Sequence, residues 1–79
     1  MIVVRYYAGA RAAAGCSEEK LAAATLDDLI DAMSAAHGPG LARVLSVASF
    51  LVDGVTWHDR TVPLPADATV DVLPPFAGG

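Results

Sequence analysis

Apolar and polar positions follow a strand rhythm at both ends of this chain and a helical one between. Residues 2–8, IVVRYYA, are β-branched and aromatic and predict a strand. With Arg5 facing solvent, Ile2, Val4 and Tyr6 share the inward face, and Val3, Arg5 and Tyr7 the outward one. A segment so apolar on both faces predicts a strand with neighbours on both sides. Residues 68–73, ATVDVL, alternate again and place Val70 and Val72 inward. In the middle, Leu26, Leu29, Ile30 and Met33 recur at helical spacing and form one apolar stripe. Thr25 and Asp28 read as a capping box with a short acid, and Asp27 and Asp28 suit the positive end of the helix dipole. Gly38-Pro39-Gly40 ends that helix.

Other segments are less regular. Residues 9–15, GARAAAG, fit a single helical turn or a loop. Residues 17–24, SEEKLAAA, have helical propensity. Yet Ser17, Glu19 and Leu21 are not spaced as a helical stripe, and the segment is short, so it is read as the second strand of a hairpin. Residues 41–47, LARVLSV, fit a short helical turn. Residues 48–53, ASFLVD, read as a strand that turns at Asp53-Gly54, since glycine supplies the positive φ of a tight hairpin, and returns over 55–58. Residues 61–64 are extended but limited in pairing by Pro63, and Pro65-Ala66-Asp67 is a turn. The order strand, strand, helix, strand, strand, strand predicts an α+β fold: a mixed sheet of about five strands with one main helix on one face.

Length allows one small domain, since the chain has 79 residues. A hydrophobic fraction of 54% is that of a folded protein, but much of it is alanine, so the core is modest and docking on a partner would help to hold it. The net charge of −4 argues against nucleic acid and anionic membranes, both of which demand basic patches, and favours a protein partner with a basic face. Cys16 is the single cysteine, so no internal disulfide forms and a cytoplasmic setting is expected. The opening MIVVRYYAG lacks the layout of a signal peptide. No apolar run approaches the ~20 residues that span a bilayer.

The ending Leu73-Pro74-Pro75-Phe76-Ala77-Gly78-Gly79 changes the picture most. A strand that belongs inside a sheet runs into a Pro-Pro pair, which stops the ladder and favours an extended path. Six residues then reach roughly 20 Å. Residues 1–73 are thus expected to form the domain, and 74–79 an extended tail. Glycine lacks a Cβ, so Gly78 and Gly79 suit a narrow channel. A carboxylate at Gly79 becomes an electrophile once adenylated, and a sulfur donor then converts it to a thiocarboxylate. Phe76 is an apolar anchor for a groove. The plain alternative is that Gly78-Gly79 is only a chain end.

Taken together, the chain resembles the MoaD/ThiS family of ubiquitin-like sulfur carriers. The likeness runs over its whole length: Ile2 to Ala8, then Arg11 and Gly15, the capped helix, Val52-Asp53-Gly54, and Val72 to Gly79. Its most specific part, Pro-Pro-x-x-Gly-Gly, is similar to the ending of molybdopterin synthase small subunits. The resemblance implies a β-grasp fold and Gly79 as the sulfur-carrying group, with Pro74, Pro75, Phe76, Ala77 and Gly78 binding a partner's groove. It also implies an E1-like adenylating enzyme that uses ATP, a sulfurtransferase donor, and a large synthase subunit that passes sulfur to cyclic pyranopterin monophosphate. This chain would bind no cofactor and would not be catalytic alone. Two departures, Asp67-Ala68 for a Gly-Asp turn and Phe76 for an aliphatic residue, bear on partner choice. A carrier for thiamine or cysteine synthesis is the alternative in the same chemistry. An interaction module, or a modifier conjugated to lysine, is the alternative outside it.

Remaining side chains carry weaker signals. Val3, Tyr7, Leu51 and Leu73 alternate outward and are expected to form a docking patch, the competing reading being packing beneath a loop. Cys16 reads as an incidental thiol rather than a persulfide relay, and His37 as a helix C-terminal residue matched to the dipole. Trp57 reads mainly as packing, with docking as the lesser reading. His37 and His58 show no metal-ligand spacing, so no metal is expected. No phosphate-binding glycine loop occurs, so ATP belongs to another protein.

Overall fold

In the computed structural model, residues 1–75 are described. They form β1 (Ile2–Tyr6), α1 (Ala8–Ala14), β2 (Glu18–Leu21), α2 (Leu26–His37), α3 (Pro39–Leu45), β3 (Ser49–Val52), β4 (Val55–Thr56) and β5 (Thr69–Leu73). The strands make one mixed sheet in the order β2-β1-β5-β3-β4. β1 runs parallel to β5, and the other pairs are antiparallel. The expected α+β arrangement is therefore present, and α2 is its main helix.

Alternation decides what is buried. Ile2, Val4 and Tyr6 of β1, Phe50 and Val52 of β3, and Val70 and Val72 of β5 all face the helices. Leu26, Leu29 and Met33 of α2, with Leu41 and Leu45 of α3, close the core over them. Ile30, at the margin of the stripe, is only partly buried. Each fully buried Leu or Val contributes about 1.5–3 kcal/mol relative to exposure. At the head of α2, Thr25 Oγ1 accepts the Asp28 amide at 3.1 Å, as the capping pattern predicts. Gly38, with φ +87°, breaks the helical path, and Pro39 restarts it as the first residue of α3.

Several boundaries differ from the sequence reading. The 2–8 strand ends at Tyr6, because Tyr7 becomes the extended N-cap of α1 and Ala8 takes φ +50°. Of residues 9–15, which fit a turn or a loop, 9–14 belong to the seven-residue helix α1 and Gly15 caps it; this helix separates β1 from β2, so the two are not joined by a simple hairpin turn. The 17–24 strand shortens to Glu18–Leu21, held by antiparallel pairing with β1. The second helical piece starts earlier than residue 41, at Pro39. Residues 55–58 pair only as Val55–Thr56. Beyond Trp57, Asp59 Oδ1 accepts from the amide (2.9 Å) and the hydroxyl (2.7 Å) of Thr61 and turns the chain away. The Asp53-Gly54 turn is confirmed, with positive φ at both residues.

Candidate functional site

The sheet face away from the helices is neither uniformly apolar nor open. Register puts Arg5 of β1 beside Asp71 of β5, and Leu51 of β3 on the other side of Asp71. Arg5 Nε donates to Asp71 Oδ1 at 2.6 Å and Arg5 Nη2 to Asp71 Oδ2 at 3.0 Å, a two-pronged ion pair. Asp71 is consequently only 7% exposed, although alternation points it outward. Its carboxylate raises the Arg5 guanidinium further above its already high range, chiefly through the hydrogen bond.

The expected docking residues fall around this pair. Val3, Leu51 and Leu73 are half-buried, and Tyr7 is exposed at 37%. Tyr6 lies opposite Val72, and the Tyr7 amide donates to the Val72 carbonyl at 3.2 Å, so one further step of register brings Tyr7 toward Leu73. Leu73 stands opposite Ser49, diagonal to Leu51. Val3, opposite Thr69, lies on the far side of β5 from Leu51. The patch is thus split by an ion pair that the sequence reading missed. Positions 5 and 71 carry opposite charges, but only the parallel register shows that they meet. Val47, Val55 and Val62 are more exposed than any of the proposed docking residues, at 60%, 61% and 41%.

β5 lies between β1 and β3 and ends at Leu73. Pro74 and Pro75 follow outside the ladder, both exposed. Phe76, Ala77, Gly78 and Gly79 lie outside the described residues, so the tail expectations for them rest on sequence alone.

On the helix side, Glu19 occupies the inward face of β2 opposite Val4. Its Oε2 accepts the Tyr6 hydroxyl at 2.6 Å and is hydrogen-bonded to His37 Nε2. The Tyr6 and His37 rings meet edge-on, with centroids 5.9 Å apart. Burial, reinforced by the Glu19 bond, pushes the Tyr6 phenol far above the usual tyrosine range. Cys16 is half-buried beside this group. Desolvation, then the Glu19 charge, push its thiol up. His37 does end α2 as expected, but it also belongs to this cluster. His58 is exposed and lines a shallow groove with Ser49, Phe50, Thr56, Trp57 and Arg60. Trp57 packs half-buried against the core, as the packing reading expects, and its indole N–H finds no partner among the described residues. No helix among the described residues is long and apolar enough to cross a membrane.

No protein-family profile matches the chain, and no curated protein matches it in sequence. Solved structures do. Small archaeal modifier protein 1 from Methanosarcina acetivorans superposes with a TM-score of 0.84 at 21% identity, over 99% of this chain and 95% of that one. SAMP1 from Haloferax volcanii gives 0.80 at 24%, over 99% and 98%. A chain in the complex of subunits 1 and 2 of the molybdopterin-converting factor from Helicobacter pylori 26695 gives 0.73 at 20%, over 99% and 97%. The chain has the β-grasp, ubiquitin-like fold of these structures, as the resemblance implies.

Proposed function

We propose that this chain is a sulfur carrier, the small subunit of a molybdopterin synthase. The observation that supports it most is the exit of β5. A strand held on both sides ends at Leu73, and Pro74 and Pro75 leave the sheet, with Gly78-Gly79 following in the sequence. A fixed base with a stiff exit suits a chemical group that must reach into another protein.

The steps follow from the chemistry of a carboxylate. An E1-like partner uses ATP to form an acyl-adenylate on Gly79, with pyrophosphate as leaving group. A sulfurtransferase persulfide attacks that acyl carbon and expels AMP, and a second thiol reduces the acyl disulfide to free the thiocarboxylate, becoming a disulfide itself. The resulting thiocarboxylate enters the large subunit, where Pro74 to Gly78 bind in the groove, and sulfur passes to cyclic pyranopterin monophosphate. Nucleotide and acid–base groups belong to the partners, so the sulfur transfer itself draws on no cofactor held by this chain. The proposed setting is the cytoplasm.

Incubation with ATP, an E1-like enzyme and a sulfur donor, read by intact mass, tests the proposal. One oxygen replaced by one sulfur at an unblocked Gly79 is expected, and deletion of Gly79 abolishes the gain while leaving the fold intact. An unchanged mass with all components active overturns it. A second reading is favoured by the likeness to proteins named as modifiers. There the same activated Gly79 meets a lysine amine and forms an isopeptide bond. A Gly79-linked lysine peptide after digestion, without thiocarboxylate, would select that reading.

A further inference from the structure

Three side chains of different chemistry converge between the helices and the edge strand β2. Cys16 Sγ, a Glu19 carboxylate oxygen and a His37 ring nitrogen all lie within 4.8 Å of one another, and all three residues are half-buried. Separate elements bring them there. Gly15, left-handed at φ +75°, caps α1 by donating to Arg11, and Cys16 follows at once. Next to it, the Ser17 carbonyl accepts the Tyr6 amide at 2.9 Å, which ties the turn to β1. Glu19 is set by the β1–β2 register, and His37 is the last residue of α2.

We propose that Cys16, Glu19 and His37 bind one zinc(II) ion, with a fourth position left for water or an exogenous ligand. Thiolate, imidazole and carboxylate are the donors that zinc takes, and a borderline-soft ion uses all three. Charge agrees. A thiolate and a carboxylate neutralise the dication, whereas either anion alone in this half-buried place is costly. Supporting contacts are also present. Tyr6, fully buried, donates its hydroxyl to Glu19 and would hold that carboxylate in place, as outer partners of metal ligands do.

Proton balance is simple. Binding releases the Cys16 thiol proton to buffer. His37 stays neutral, with its remaining proton on the ring nitrogen that does not face the metal. The His37–Glu19 hydrogen bond is exchanged for two metal–ligand bonds. The ion would then join the α1–β2 turn, β2 and the end of α2, which is useful in a domain with a modest core. This site is separate from Gly79 and stands or falls without the sulfur-carrier reading.

The test uses the full chain freed of metal by chelation. Zinc is titrated by calorimetry, and cobalt(II) serves as the spectroscopic probe. One ion per chain is expected, with a dissociation constant below about 1 μM. Cobalt should show the thiolate charge-transfer band and the intense visible bands of a tetrahedral site. Cys16→Ser should remove the charge-transfer band, and Tyr6→Phe should weaken binding about tenfold. His58→Gln should change nothing. Zinc should also slow alkylation of Cys16 in the unaltered chain, a readout that holds even if a variant fails to fold. Weak or non-stoichiometric binding, a cobalt spectrum without the thiolate band, or unprotected Cys16 would overturn the site.

Discussion

Thr25 and Asp59 each hold the chain through contacts two or three residues away. The Thr25 side chain accepts an amide three residues on, a relation that spacing alone displays. Thr25→Ala should cost about 1 kcal/mol of stability, read as a lower urea midpoint with an unchanged slope. Asp59 takes both donors of Thr61, and these bonds hold its carboxyl below the usual aspartate range. A carboxyl lowered in the folded state stabilises the fold above its unfolded value near pH ~4, and loses that contribution as pH falls through the folded value. Carboxyl NMR titration should therefore place Asp59 low, and Thr61→Val should move it back up. The Glu19–His37 contact and the Arg5–Asp71 pair were hidden for the opposite reason. Their partners are 18 and 66 positions apart, and no local pattern announces them.

At the scale of elements, periodicity was informative wherever an element has one buried face. α2 shows this: Leu26, Leu29 and Met33 are buried as their spacing implies. Leu29→Ala should cost about 2–5 kcal/mol, a large loss for a small domain, seen as early thermal unfolding. Segment 17–24 posed the harder choice. Its helical propensity loses to pairing with β1, a term that lies outside the segment itself. Residues 9–15 and 39–45 were under-read because alanine and glycine carry little periodic contrast. α1 buries a single residue, Ala10. The hairpin was legible because its backbone demand is specific. Asp53 and Gly54 sit at φ +48° and +83°. A Cβ at Gly54 would meet nothing within 4 Å, so Gly54→Ala isolates the backbone term. It should destabilise by about 1–2 kcal/mol in urea unfolding, with no packing change.

For the whole molecule, the parallel pairing of β1 with β5 is the decisive arrangement. It brings Tyr7, at the end of the first strand, toward Leu73, where the chain leaves the sheet for Pro74. The sequence placed these residues on one face by alternation, but it could not place the Arg5–Asp71 pair between Val3 and Leu51. A partner docking here meets an apolar rim around a neutralised ion pair, with Tyr7 as the exposed aromatic. Tyrosine is enriched among the few side chains that dominate an interface, whose truncation costs about 2 kcal/mol or more. Loss of the Tyr7 ring should therefore weaken complex formation with the proposed large-subunit partner about thirtyfold by that figure. An exposed position contributes within about 0.5 kcal/mol to folding, so Tm should barely move. Tyr7→Ala removes only the ring, while Tyr7→Glu adds charge as well. If both weaken binding alike, apolar contact is responsible. If only the glutamate does, the face is read electrostatically. Unchanged binding in both removes Tyr7 from the docking surface, while leaving the chemistry proposed for Gly79 to be judged by its own mass measurement.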